Sequence, residues 1–434
     1  MMRYQQVLFL PMLFGVLFGA CKKDPANEAP RITIISPAES ASVTVPDTLV
    51  VKVEVRDDQG LSQVSVTLLD QNDIPAVNAV TASATGTSAT ITLALPITSE
   101  QLTSGLYKLF ATVSDGSLSG KDEQNLHITA TPLRLRSVFT LTVPSSGTVA
   151  LYRTDSTGQT TLSTTWPTDL GGAAISSHAQ RLFVAGGASG DLRAYDPDGM
   201  DIVWQRPNLS SIGAPWFTSV DLCADGRLYV GHDDGTLRSF NPSNGTGSFT
   251  ATMPEQFRAI QALTTGDLVV CLQRHFVTQE YRVGIYYQLS GNLQETQPLD
   301  LTPVRAFIRG TDQVLIFGNR DGLGRVLDRT ISGGGTWEAY TWTAPITAVE
   351  QVALNTWIVA LANGDLQRFT YGGSGSLSIA TTPVLTTLAF DAVNGWVYAG
   401  TEGQVMAIDP GSGTMAGGWA VNGEVRYVLP WLNR

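Results

Sequence analysis

One phrase recurs down this chain and limits what it can fold into. Arg181-Leu182-Phe183-Val184-Ala185-Gly186 leads into Gly190-Asp191-Leu192-Arg193-Ala194-Tyr195-Asp196-Pro197. Arg227-Leu228-Tyr229-Val230-Gly231 leads into Gly235-Thr236-Leu237-Arg238-Ser239-Phe240-Asn241-Pro242. Trp396-Val397-Tyr398-Ala399-Gly400 leads into Gly403-Gln404-Val405-Met406-Ala407-Ile408-Asp409-Pro410. Weaker copies sit at Leu268, Val314 and Trp357, and a first one at Val138. Anchored on Phe139, Phe183, Tyr229, Val269, Leu315, Ile358 and Val397, the steps are 44, 46, 40, 46, 43 and 39 residues. A period of roughly 40–45 residues is that of a four-stranded propeller blade. The segments are short, rich in β-branched and aromatic residues, and separated by Asp-Gly, Asn-Gly, Ser-Gly or Gly-Gly turns, so each unit is a set of hairpins.

Each unit also carries a strand ahead of its anchor, as in Thr218–Leu222, Arg258–Leu263, Arg305–Ile308, Thr347–Val349 and Thr386–Phe390. The first unit has none. The C-terminus supplies a spare one, Val425-Arg426-Tyr427-Val428-Leu429. An unpaired strand edge is a liability, and a ring that borrows a strand from its far end removes it. The expectation is a seven-bladed β-propeller over 135–434, closed by the C-terminal strand.

These repeats resemble WD-like and PQQ-like propeller repeats. The Ala194-Tyr195-Asp196-Pro197-Asp198-Gly199 and Ala407-Ile408-Asp409-Pro410-Gly411 turns, with Trp204 and Trp419 downstream, are most similar to the PQQ type. Quinoprotein dehydrogenases of that type have eight blades and an adjacent cysteine pair. This chain has seven units and no adjacent cysteines, so the resemblance implies the fold without the quinone, and no cofactor is expected.

Residues 30–131 form a separate segment. Arg31–Ile35, Thr48–Val55, Gln63–Leu69, Ala89–Leu95, Leu106–Val113 and Asn125–Ala130 alternate or run apolar at strand length. About 100 residues of short strands with no helical period indicate an Ig-like β-sandwich, so the fold class is all-β. The segment resembles the Ig-like modules that follow the lipid anchor in bacterial surface lipoproteins.

Residues 1–20 have the form of a lipoprotein signal peptide. Arg3 precedes an apolar run from Val7 to Ala20, too short to span a bilayer comfortably. Phe18-Gly19-Ala20-Cys21 resembles a bacterial lipobox, with Phe18 where the family prefers Leu. The resemblance implies a lipid on Cys21 and membrane association through that anchor alone. Residues 21–29 are then a tether. Lys22-Lys23-Asp24 is similar to the segment that follows the anchor in Bacteroidota lipoproteins. That implies an outer-membrane protein facing the cell surface, with the periplasmic face as the alternative. A net charge of −11 argues against a nucleic-acid partner.

The candidate site lies at the starts of the inner strands. Aligned by pattern, their second positions are Thr218, Arg258, Arg305, Thr347, Thr386 and Arg426, with Ala173 breaking the series. Arg258, Arg305 and Arg426 would make a positive mouth on the central funnel, suited to carboxylate or sulfate. The competing expectation pairs each arginine with a loop acid, Glu255, Asp300 or Glu424. A long connection within the fourth blade, Leu272 to Val283, adds Arg274, His275 and Tyr281 as ligand-binding candidates. Asp57, Asp58 and Asp115 are a calcium candidate if their loops share one end of the sandwich; the same residues are those from which hairpin turns are built. Cys223 and Cys271 are buried free thiols, or a disulfide if their Cα atoms lie within about 7 Å. Asp47-Thr48-Leu49 and Asp155-Ser156-Thr157 resemble the O-glycosylation acceptor of Bacteroidota. No nucleophile elbow, zinc motif or phosphate loop is present, and no set of acids or histidines converges by sequence. The reading is a lipid-anchored envelope protein that binds or scaffolds a glycan or another envelope protein, with a polysaccharide lyase or hydrolase as the alternative.

Overall fold

The computed structural model describes residues 26–434 other than 211–213, 334 and 374. The chain divides into two compact units, Met1–Thr131 and Pro132–Arg434. Cys21 and the leader lie outside the described residues.

The N-terminal unit is a two-layer sandwich. One sheet holds Arg31–Ser36, Asp47–Arg56 and Ser88–Ile97; the other holds Ala41–Thr44, Ser119–Thr129, Gly105–Ser114, Gln63–Leu69 and Val80–Ser83 in that order. Strict alternation makes the core. Val51, Val53 and Val55 face inward from the first sheet, and Val64, Val66, Leu68, Leu109 and Ala111 meet them from the second. Two edge strands escaped the sequence reading, Ala41–Thr44 and Val80–Ser83. Both are four residues long, too short to display a period.

The second unit is a ring of seven antiparallel blades. Blades 2 to 6 are plain four-stranded sheets that begin at Gly172, Phe217, Phe257, Thr302 and Ile346. The last sheet has six strands because blades 7 and 1 are continuous. Trp396–Ile408 folds back at Gly403 to serve as two strands of blade 7. Met415–Leu432 is the outer strand of blade 7 in its first half and pairs with Leu135–Ser145 in its second, from Glu424 opposite Val143 to Leu432 opposite Leu135. The C-terminal strand is therefore the inner strand of blade 1 and closes the ring. Each inner strand adjoins the next around the circle, the last meeting the first.

Seven apolar clusters fill the seven gaps between blades. Along the second strand of each blade, alternate residues face opposite neighbours, so a fully buried strand reads as a continuous apolar run. The residues facing the following blade are Phe139, Phe183, Tyr229, Val270, Leu315, Ile358 and Tyr398. The sequence anchors for blades 4 and 7, Val269 and Val397, are thus each one residue early. Turns lock the rim: Gly245 has φ +72 and its Cα lies against Trp204, where a Cβ would come within 2.8 Å of the indole. The Trp204 indole also donates to the Pro242 carbonyl at 2.9 Å.

Candidate functional site

The inner strands enclose a central channel of about 590 Å³. Most of them carry a β-bulge near their start. The residue just after it, facing the second strand's inner end, is Ser219, Gln261, Arg305, Ala348 and Tyr427 in blades 3, 4, 5, 6 and 1. Gly172 and Thr387 occupy the same place without a bulge in blades 2 and 7. Measured this way, Thr218, Thr347, Thr386 and Arg426 do share one position, immediately before. Arg305 stands one residue later and Arg258 two residues earlier. A bulge inserts an unpaired residue, and a pattern of period two conceals slips of two.

The three arginines are accordingly not brought together. Arg305 lines the channel; Arg258 and Arg426 do not. Each is paired with an acid. Arg258 Nε meets Asp233 at 3.0 Å and Arg426 meets Glu424 at 2.9 Å. Arg305 meets Glu350 and also donates to the Val349 carbonyl at 3.3 Å. Glu255 and Asp300, expected beside Arg258 and Arg305, instead face Arg282 and Arg320. A positive mouth built from the three guanidiniums is absent from the described residues.

The long connection of blade 4 is also shorter than expected. The strands Leu268–His275 and Tyr281–Tyr287 stay paired to Arg274 opposite Tyr281, leaving a five-residue turn, 276–280. His275 Nδ1 accepts the amides of Val277 and Thr278 at 3.2 and 3.0 Å, so it caps that turn, edge-on to Phe257. His275 and Tyr281 line a second cleft of about 810 Å³, beside Arg282, whose guanidinium lies 3.4 Å over the Phe257 ring. Arg274 is exposed and lines neither cavity.

The calcium candidates are committed to turns. Asp57 accepts the amides of Gln59 and Gly60, and Asp115 those of Ser117 and Leu118. Adjacent residues of the tether reach both loops, Asn27 to Asp115 and Glu28 to Asp58. Among the described residues, no three potential metal ligands converge. Cys223 and Cys271 are buried and unbridged, and burial pushes both thiols well above their ordinary range.

What the sequence did not reveal is a charged set inside the channel. Its lining holds three charged residues, Asp221 of blade 3, Arg305 of blade 5 and Glu350 of blade 6. All three lie on inner strands, and their side chains cross to the neighbouring blade or reach for it. Asp221 Oδ2 accepts the Ala262 amide of blade 4 at 3.0 Å. Gln261 joins blade 5 by a paired bridge, accepting from the Ala306 amide and donating to its carbonyl. Arg305 reaches blade 6. Side chains supply here the links that splayed inner strands cannot make through their backbones.

Burial drives the electrostatics. It pushes the Asp221 carboxyl up to about 7, against the pull of the Ala262 amide, the Ser219 hydroxyl and Arg305. It also raises Glu350, opposed chiefly by Arg305, and raises the Tyr427 phenol, which the charge of Asp221 lifts further. Two carboxylates against one guanidinium leave the lining with one negative charge when all are ionised. The legible signal was a lone acid in an inner strand, Val220-Asp221-Leu222 and Val349-Glu350-Gln351, at positions where other blades carry Leu263, Phe307 and Ala389.

Residues 30–111 match the family model described as a bacterial Ig domain, within the N-terminal unit. No curated protein matches the chain. Among solved structures, the WD40 β-propeller domain of Doa1 is similar at 12% identity, covering 61% of this chain and 85% of that one with a TM-score of 0.48. The propeller assignment rests on the strand pairing above rather than on that likeness. The chain is an all-β protein with an Ig-like unit followed by a seven-bladed propeller.

Proposed function

We propose that this chain is a binding protein of the bacterial cell envelope, held by a lipid on Cys21, with the Ig-like unit as spacer and the propeller as the binding module. The observation that carries the binding part is the channel. Its volume of about 590 Å³ falls in the range of small-ligand sites, roughly 300–1,000 Å³. Charged and hydrogen-bonding side chains converge on it from blades 1, 3, 4, 5, 6 and 7. Support for the envelope part comes from the leader, from Phe18-Gly19-Ala20-Cys21, and from the bacterial Ig match over residues 30–111. Lys22-Lys23-Asp24 favours the outer surface of the outer membrane over its periplasmic face.

The test is capture from native membranes with the full-length protein, analysed for both small molecules and proteins. A small molecule retained by the wild type and lost when Thr347→Trp fills the channel supports the reading. Retention that ignores the channel, or a partner protein alone, overturns the channel as the site. Digestion of intact cells with an added protease reports the face: cleavage supports the surface, and protection places the protein inside.

One observation favours a catalytic alternative, a polysaccharide lyase or hydrolase. Asp221 and Glu350 share one cavity, and both are held above the ordinary carboxylate range, as proton-transfer groups often are. Cleavage of envelope polysaccharide by the wild type but not by Asp221→Asn would favour it.

A further inference from the structure

We propose that the channel takes a small ligand bearing a protonated amine, seated against the Asp221 carboxylate. The proposal rests on the channel being the binding site and adds the chemical class of the ligand.

Charge balance is the first argument. Arg305 and Glu350 form an ion pair, so they largely cancel. Asp221 makes no ion pair among the described residues, yet lines the channel. The Ala262 amide is its hydrogen-bond partner, with the neighbouring Ser219 hydroxyl and Arg305 favouring its charge from farther off. A buried carboxylate without a cation either takes up a proton or binds a positive group. Burial has already pushed this one up to about 7, so near neutrality it is poised between those two states.

Geometry selects the kind of cation. A hard divalent ion wants about six oxygen ligands, usually with several carboxylates. Here the second carboxylate is tied to Arg305, and no three ligands converge among the described residues. An ammonium group needs fewer contacts, three acceptors at most. Thr387, Gln261 and Tyr427 line the same space and suit the hydroxyls of a compact polar molecule. The other titratable groups around Asp221 are Arg305, Glu350 and Tyr427 in the lining and Cys223, Tyr229, Cys271 and Tyr286 in the cluster behind. Burial holds Asp221 at about 7 and also raises the Glu350 carboxyl and both thiols.

The experiment uses the full chain and three matched probes, glucosamine, N-acetylglucosamine and glucose, with binding read by saturation-transfer NMR and calorimetry. The proposal expects glucosamine to bind. N-acetylglucosamine and glucose, without the charge, should bind at least tenfold more weakly. Glucosamine affinity should fall at least tenfold between pH 8 and pH 5 as Asp221 takes up its proton, and Asp221→Asn should abolish the preference. Thr347→Trp should remove all binding. Equal binding of the three sugars, blocked by Thr347→Trp, would overturn the amine and leave the channel as a site. Binding that survives Thr347→Trp, or none at all together with none for the linear amine putrescine, would overturn both.

Discussion

Replacing Asp221 by Asn should stabilise the propeller at pH 8 and leave it unchanged near pH 4. The carboxyl titrates near 7 in the fold and near 3.8 in the unfolded chain. Between those values the native state holds the proton that the unfolded state has lost, so stability falls as pH rises through that window. Above 7 the penalty is complete, and below 3.8 it vanishes. A rise of that size corresponds to about 4 kcal/mol. Asp221 is partly open to channel water, and screening brings the expected gain for the Asn variant to about 2 kcal/mol. The Asn carbonyl can still accept the Ala262 amide. For a unit of roughly 300 residues, about 2 kcal/mol moves the melting temperature by on the order of 3 °C.

The assay is thermal unfolding of both proteins from pH 4 to pH 8, and the quantity of interest is their difference. His232 makes that precaution necessary. It is buried against Trp216 and Phe217, and burial first, then Arg238, lowers its pKa to about 4. It therefore contributes stability above 6.5 that is lost as pH falls toward 4, opposite in sign to Asp221 over the same window. The wild-type profile mixes the two, and the difference between proteins removes His232. A gap that is constant with pH, or a less stable variant at pH 8, would refute the electrostatic reasoning.

Three other perturbations probe the remaining parts. Deleting Glu424–Arg434 removes the inner strand of blade 1 with Val425, Val428 and Trp431, all buried; at about 1.5–3 kcal/mol each this approaches the whole stability of a domain, so the truncated protein should aggregate or lose its cooperative melt. Within the channel pair, Arg305→Met should cost about 1–2 kcal/mol in urea unfolding at pH 8, because it strands the more buried partner, Glu350; Glu350→Gln should cost less than about 1 kcal/mol, because the Arg305 side chain is 43% exposed. Cys21→Ala should release the protein from membranes in a carbonate wash; continued membrane binding would remove the anchor.

The ring was legible because blades repeat. Phe183, Tyr229 and Leu315 carry the period in their own identities, and the orphan strand at Val425–Leu429 announced the closure. The funnel was not legible for the reason the ring was. Its geometry depends on bulges near the strand starts at Thr218, Ile260, Val304, Thr347 and Arg426, and a bulge leaves no residue signature of its own. Arg258 and Arg305 fit a common pattern while standing three residues apart in the true register. The acids of the channel, Asp221 and Glu350, sit farther along their strands than any mouth position, beyond the reach of a pattern at the strand starts. His275 looked like a ligand because nothing in sequence separates a turn-capping imidazole from a free one.

The channel ringed by the inner strands is the proposed binding site of this protein. Native mass spectrometry of full-length protein purified from its own envelope, wild type beside Thr347→Trp, tests it most directly. The expected result is a small-molecule adduct on the wild type that is missing from the filled variant, while both proteins melt cooperatively. The same adduct on both proteins, or none on either, would contradict it.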